Sequence, residues 1–399
     1  MRKLFALLAA VLLTTTGLLS VRAEIKLPPD IVDNVTIGIN GVYNLDFDTA
    51  NENIQEVFRK YPDHPFGHFG NAMVAWARYE YEFEMSDTAQ QKKFEKILND
   101  SISGIKRWIK QYPDDPNGYM GLGALYGLRA MFSMRTRSWV TAYFSGRKAI
   151  SNLEKSMALD PTYYDAFFGL GIYNYFAGTL PSVIKVLARI VAIKGDVAKG
   201  VEQLNIAREK GTFTSDSAKL ILIEVQNNRL SPFYAPDKSL EYINQLHAKF
   251  PTNPLMHYVV LICLFENGSY DEVIAGAQEF LGLIGSSKFY KEIYIPRAYT
   301  AIGTSYMAKG DWEKARDVFE QGRAEYADQT PSRWGVWNEY RLGQIYDVLG
   351  ERDKAIAQYK KVLSFKDKWG FDDAAKAGVK TPWKAASGKG VGPLPPQQN

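Results

Sequence analysis

The chain has one cysteine, Cys263, in 399 residues. An intrachain disulfide is therefore excluded, and stability must come from packing even in an oxidising compartment. Cys263 sits within Val259-Val260-Leu261-Ile262-Cys263-Leu264-Phe265, a stretch that reads as the surroundings of a buried, inert thiol. Histidine is scarce too: His64, His68, His247 and His257 are the whole set. His64 and His68 are four apart, a metal-compatible spacing on one helix, but Pro65 and Gly67 between them point to a turn. No metal or other cofactor is expected. The sequence also lacks a phosphate-cradling glycine loop, a zinc-binding helix signature and a nucleophile elbow. Glu80, Glu82 and Glu84 alternate with Tyr79, Tyr81 and Phe83, so on a helix they diverge and form no paired-carboxylate site. An enzyme is not the expectation.

Charge of one sign is lacking as well. The chain carries +4, and residues 1–23 hold three bases and no acid, which leaves the rest close to neutral. A strongly basic field for nucleic acid is absent. Long apolar runs are missing beyond the N-terminus. There, Arg2 and Lys3 precede an apolar run from Leu4 to Leu13, and Val21-Arg22-Ala23 places small residues where a signal peptidase needs them. The run is short for a membrane span and is interrupted by Thr14, Thr15 and Thr16. The expectation is cleavage after Ala23 and export to a bacterial periplasm.

What is present is a repeat. Around Gly303 the sequence reads Tyr299, Ile302, Gly303, Tyr306, Ala315 and Phe319, and around Gly343 it reads Leu342, Gly343, Tyr346, Ala355 and Tyr359. A small residue on a first helix and another twelve residues on let two helices cross closely, and aromatics fill the space beside the crossing. A helix stop recurs upstream: Ala50 leads to Pro62 and Ala72, Ser101 to Pro113 and Gly123, Ala149 to Pro161 and Gly171, Gly200 to Thr212 and Leu222, and Ser239 to Pro251 and Leu261. Proline cannot continue a helix and biases its predecessor away from helical angles. The reading is all-α: about seven helix pairs in a right-handed α–α superhelix, from roughly Ile31 to Phe365. Thr36, Gly38 and Gly41 are poor helix formers, so the first stretch is expected to be irregular or extended.

The units are unequal. Ala72 to Ser101 spans 29 residues, Gly123 to Ala149 spans 26 and Gly171 to Gly200 spans 29, against twelve in the later units. Elongated hairpins are therefore expected over 24–230, standard ones over 231–375, and a flexible Gly- and Pro-rich tail over 376–399. Whether the extra turns are straight extensions or inserted helices stays open.

These spellings resemble the tetratricopeptide-repeat family. Gly171-Ile172-Tyr173-Asn174-Tyr175-Phe176-Ala177-Gly178-Thr179-Leu180-Pro181, with Gly195-Asp196 and Gly200, is similar to the inclusion-body-clearance and outer-mitochondrial-membrane branch of such proteins. The signal peptide departs from that branch. The resemblance implies a scaffold that holds a protein partner on a concave face lined by first helices. It singles out Arg297, Thr300 and Thr304 in one unit, Trp337, Tyr340 and Gln344 in the next, and Tyr175 and Phe176 earlier. Ordinary interhelix packing is the other reading of each.

A second candidate is basic and aromatic. No acid lies between Pro116 and Leu153, a window holding Arg129, Arg135, Arg137, Arg147 and Lys148 with Trp139, Tyr143 and Phe144. From Pro116 to Gly195 there are nine bases and three acids. Such clustering suits an anionic envelope surface, lipid or glycan. The segment Ser182–Lys194 adds an apolar side and reads either as an interfacial helix or as a core helix with solvated lysines. A ligand-binding or enzymatic pocket between the early hairpins, lined by Arg135, Arg137, Trp139 and Tyr143, is the alternative.

Overall fold

A computed structural model describes residues 27–83, 88–136, 138–179, 195–327, 332–366 and 369–385. The described residues are helical, with no strand beyond an isolated bridge between Ile284 and Ser287. In chain order the helices are α1 (Pro29–Tyr43), α2 (Phe47–Lys60), α3 (Pro65–Phe83), α4 (Thr88–Gln111), α5 (Pro116–Arg135), α6 (Trp139–Leu159), α7 (Ala166–Thr179), α8 (Val197–Lys210), α9 (Ser215–Asn227), α10 (Pro236–Lys249), α11 (Pro254–Glu266), α12 (Tyr270–Leu283), α13 (Ile295–Lys309), α14 (Trp312–Glu325), α15 (Arg333–Val348), α16 (Arg352–Ser364) and α17 (Asp372–Lys380). They form eight hairpins and a terminal helix, one hairpin more than the spacing suggested. None of the described helices is long and apolar enough to cross a membrane.

The chain divides into two compact units. One comprises the residues up to Gly38 and Asn51–Ala166; the other comprises Ile39–Ala50 and the residues from Phe167 onward.

The expected stops all fall in turns. Pro62, Pro113, Pro161, Thr212 and Pro251 each lie just after a helix ends. The turns also restart the chain. Pro65, Pro116 and Pro254 open α3, α5 and α11, the position where a missing N–H costs nothing. The residue before each proline caps the new helix. Asp115 accepts from Asn117 N at 3.0 Å, Asn253 accepts from Leu255 N at 2.9 Å, and His64 Nδ1 accepts from Phe66 N at 3.3 Å. His64 is therefore a capping residue, equivalent in place to Asp115 and Asn253. The later hairpins turn differently: Gly310 and Gly350 adopt φ of +78°, which a side chain would strain.

In the first unit the elongation is straight. α3 to α6 run 19, 24, 20 and 21 residues, with no inserted helix. Their core joins Trp76, Phe94, Ile105, Leu125 and Phe132. The first helix corrects the expectation of an irregular start: α1 is helical through Thr36, Gly38 and Gly41. Ile31 and Val35, one turn apart, are buried. Gly41 lies so close to the Ala50 backbone that a Cβ would sit 3.0 Å from its nitrogen.

In the second unit, α8, α9 and α10 have 14, 13 and 14 residues, so the hairpin that spans residue 230 is not elongated. The long spacing from Gly171 to Gly200 contains residues 180–194, outside the described set; the candidate interfacial segment Ser182–Lys194 lies there. Gly171 and Gly200 mark a true backbone crossing, for a Cβ on Gly200 would stand 2.9 Å from Gly171 O. Gly303 and Gly343 make way for rings instead: their Cβ positions fall 2.5 Å and 2.6 Å from Phe319 and Tyr359.

The tail begins later than residue 376, which falls inside α17. Arg352 donates to Gly378 O at 2.7 Å and Val379 O at 2.8 Å, satisfying the last carbonyls of α17. The same guanidinium pairs with the buried Asp347 carboxylate at 2.7 Å, which also accepts from Tyr359 OH and from Trp383 N. Residues 376–385 are thus tied to the last hairpin.

Candidate functional site

The first helices of the later hairpins, α11, α13 and α15, bring together the most unusual side chains of the second unit. Helical spacing puts Arg297, Thr300 and Thr304 on one side of α13. It does the same for Trp334, Trp337, Arg341 and Gln344 on α15. Arg297 stacks over Tyr294 at 4.7 Å and over Trp334 at 5.6 Å. Trp334 in turn meets Tyr258 of α11 edge-on at 5.2 Å.

Arg341 is the most buried of these charges, at 2% exposure. It stacks over Trp337 at 4.3 Å and donates to Gln344 Oε1 at 3.0 Å. Burial is the main force on it and pulls its guanidinium down to about 9; the nearby Arg229 charge acts in the same direction. Arg229 forks onto Glu266, at 2.6 Å and 3.3 Å, at the end of α11. Four polar atoms here are buried and make no hydrogen bond among the described residues: Tyr258 Oη, Arg297 Nε, Thr304 Oγ1 and Trp337 Nε1. The arrangement can receive an anionic or acceptor-rich group, stacked and hydrogen-bonded together.

The residues singled out from sequence meet different fates. Trp337 and Gln344 meet around Arg341, Arg297 reaches Trp334, and Thr304 is buried on α13. Thr300 is absorbed by packing: its hydroxyl lies 2.6 Å from Asn338 Oδ1 and 2.7 Å from Pro296 O, tying α15 to α13. Tyr340 stacks on Phe371 and Trp337, so its ring is committed to the helices around it. Tyr175 is buried in the α7–α9 core, and its neighbour Phe176 is exposed. In the first unit Arg135 pairs with Glu80 at 2.8 Å. Trp139 is 65% exposed, so it does not line an enclosed pocket. Tyr143 is half-buried with its ring 5.1 Å from Phe144. Arg137 lies outside the described residues. Trp334, Arg341 and Tyr258 were missed. The signal was available for two of them, because Trp334 and Arg341 are one turn either side of Trp337.

His64 and His68 do not converge. His64 caps α3, while His68 faces Asp63 at 3.3 Å. Among the described residues no group of three or more metal-ligating side chains assembles. Cys263 is buried, accepts from Asn227 Nδ2 at 3.2 Å and is pushed up to about 12 by burial.

Residues 300–373 match the tetratricopeptide-repeat family model. No curated protein matches the chain. Among solved structures the chain is similar to one in the APC/C hetero-tetramer Cut9–Hcn1, with 14% identity and a TM-score of 0.47 over 87% of this chain and 54% of that one. It thus spans about half the length of that chain. Human IFIT1, a dimer with PPP-AAAA, is similar at 14% identity and a TM-score of 0.45, covering 90% of this chain and 86% of its own. Yeast Tom70 is similar at 10% identity and a TM-score of 0.38, covering 88% and 89%.

Proposed function

We propose that this tetratricopeptide-repeat protein is a non-catalytic scaffold that holds an acidic segment of a partner protein against α11, α13 and α15. Repeats of this kind are an interaction architecture, since each presents a side to its neighbour and another to a partner. One observation carries the reading. Arg297 and Arg341 stand stacked on indoles beside buried donors, Arg297 Nε and Trp337 Nε1, that make no hydrogen bond within the described residues. A buried donor without an acceptor is costly, so a ligand supplying carboxylates or carbonyls gains what the free protein lacks. Trp334 and Trp337 add stacking area at low entropic cost.

The apolar run from Leu4 to Leu13 and Val21-Arg22-Ala23 support export to a bacterial periplasm, where the partner is a protein or another cell-envelope component. Mass spectrometry of the periplasmic fraction tests this through a chain beginning at Glu24.

The groove is tested by panning a random peptide library against the full chain. Enrichment of Asp- and Glu-rich peptides, abolished by Arg297→Gln with the melting temperature retained, is the expected result. Enrichment indifferent to Arg297→Gln removes the assignment.

A further inference from the structure

The end of the α5–α6 hairpin exposes apolar side chains that no described residue of the first unit covers. Met131 and Met134 close α5, and Trp139, Val140 and Phe144 open α6. All five are among the exposed large hydrophobics; Val140 reaches 71% and Phe144 57%. Exposed apolar residues are usually scattered singly, and five gathered at one hairpin end are not. Val140 and Phe144 are one turn apart on α6, and Lys148 continues the same stripe.

A second observation lies next to the first. Lys106 of α4, Arg129 of α5 and Lys148 of α6 surround one ring, Tyr126, at 5.9, 5.7 and 5.3 Å from its centroid. No two of these cations are farther apart than twice the longest of those distances. Arg129 also donates to Asn99. The α5–α6 hairpin contributes no acid between Pro116 and Leu153 to offset them. Arg135 is paired with Glu80, so the positive field comes from the Tyr126 cluster and from Arg147, which donates to Tyr143 OH. Gly127 and Gly146, within the same hairpin, have open space where a Cβ would stand. Three like charges held around one ring favour an anion that bridges them.

The two features adjoin, Arg129 two residues from Met131 and Lys148 one turn from Phe144, with the cations farther from the hairpin end. Val140 to Lys148 is eight residues, or about 12 Å of helix. Side chains that enter an interface bury about 5–10 Å into the headgroup–acyl boundary. Cations one step above that depth meet lipid phosphates.

We propose that the α5–α6 hairpin end docks on an anionic lipid bilayer, with Met131, Met134, Trp139, Val140 and Phe144 entering the interface and Lys106, Arg129 and Lys148 binding phosphates. A projecting apolar end with cations set back from it suits a surface rather than a peptide, which needs a groove. The inference is independent of the α13–α15 groove, which lies in the other unit.

The test is co-sedimentation of the full chain with vesicles of phosphatidylcholine alone and of phosphatidylcholine mixed equally with phosphatidylglycerol. Binding to the mixed vesicles is expected, weakening with salt, with about five-fold loss for each cation removed. Lys106→Gln with Lys148→Gln should therefore lower the affinity about twenty-five-fold. Val140→Ser with Phe144→Ser should abolish binding without lowering the melting temperature, because both side chains are already exposed. Brominated lipids should quench Trp139, and Trp139→Phe should remove that quenching. Equal binding to both vesicle types, or to neither, overturns the proposal. So does a Val140→Ser/Phe144→Ser variant that binds like the parent. Self-association abolished by that variant, with no vesicle binding, assigns the patch to a second copy instead.

Discussion

Replacing Gly200 by alanine puts a methyl group where α8 meets the backbone of α7. The new Cβ would lie 2.5 Å from Tyr175 N and 2.9 Å from Gly171 O. Both are main-chain atoms within α7, so no rotamer change makes room. The helices must separate, and the buried Tyr175 and Leu204 lose packing as they do. Overpacking of this kind costs about 1–3 kcal/mol. Alanine returns about 1 kcal/mol through its better helix propensity. The net loss is up to about 2 kcal/mol, or a melting temperature lower by up to roughly 8 °C. Gly146→Ala is the internal control. It has nothing within 4 Å of the added Cβ, so only the propensity acts, and stability rises by about 1 kcal/mol. The two substitutions are chemically the same and carry opposite signs. Urea and thermal melts followed by circular dichroism measure both. Should Gly200→Ala match Gly146→Ala in raising stability, the close crossing at Gly171 and Gly200 is not there.

Other expectations follow from the caps and the terminus. Burial pulls His64 down to about 4, below its unfolded value of about 6.5. Above pH 6.5 its full contribution is present; as pH falls from about 6.5 to 4 the unfolded chain takes up a proton that the folded chain refuses, and up to ~3 kcal/mol is lost. His64→Asn keeps a capping side chain and should flatten that part of a pH–stability profile; an unchanged slope contradicts the assignment. Arg352→Ala strips the α17 carbonyls and the buried Asp347 of a partner, at a cost of about 2–4 kcal/mol, and trypsin should then cut at Lys376 and Lys380 faster than in the parent. Cys263, buried and raised to about 12, should resist Ellman's reagent at pH 8 until denaturant is added.

The repeat was legible because its punctuation is local. A proline or its equivalent after each second helix acts through backbone geometry, and Pro62, Pro113 and Pro251 mark their turns whatever packs above them. Gly303 and Gly343 were legible as close contacts for the same reason, and the rings of Phe319 and Tyr359 fill the space. The first helix was misjudged because propensity opposed it. Ile31 and Val35 are buried there, and at Gly41 only the smallest residue fits against Ala50. The site was half legible. Helical period places Thr300, Thr304, Trp337 and Tyr340 on candidate faces, but it cannot separate a groove from a helix contact. Asn338, 38 residues away, decides that Thr300 is packing. Phe371 decides the same for Tyr340. Arg341 was overlooked because an arginine on a helix is usually solvated, and its burial depends on neighbours far along the chain. The 376 boundary was misplaced because the tie that holds α17 is made by Arg352 and Asp347, neither of which advertises a long-range role in sequence.

The proposed binding face can be probed at one position. A photoreactive phenylalanine analogue in place of Trp334, beside Arg297, is irradiated with an acidic peptide selected on the full chain, and the cross-link is mapped by mass spectrometry. The same analogue at Gln321, exposed on α14, is the comparison. Cross-linking at 334 and not at 321, lost when the peptide's acids become amides, is the result expected here. Labelling that is equal at both positions, or that survives loss of the acids, contradicts a cation-lined groove on the first helices.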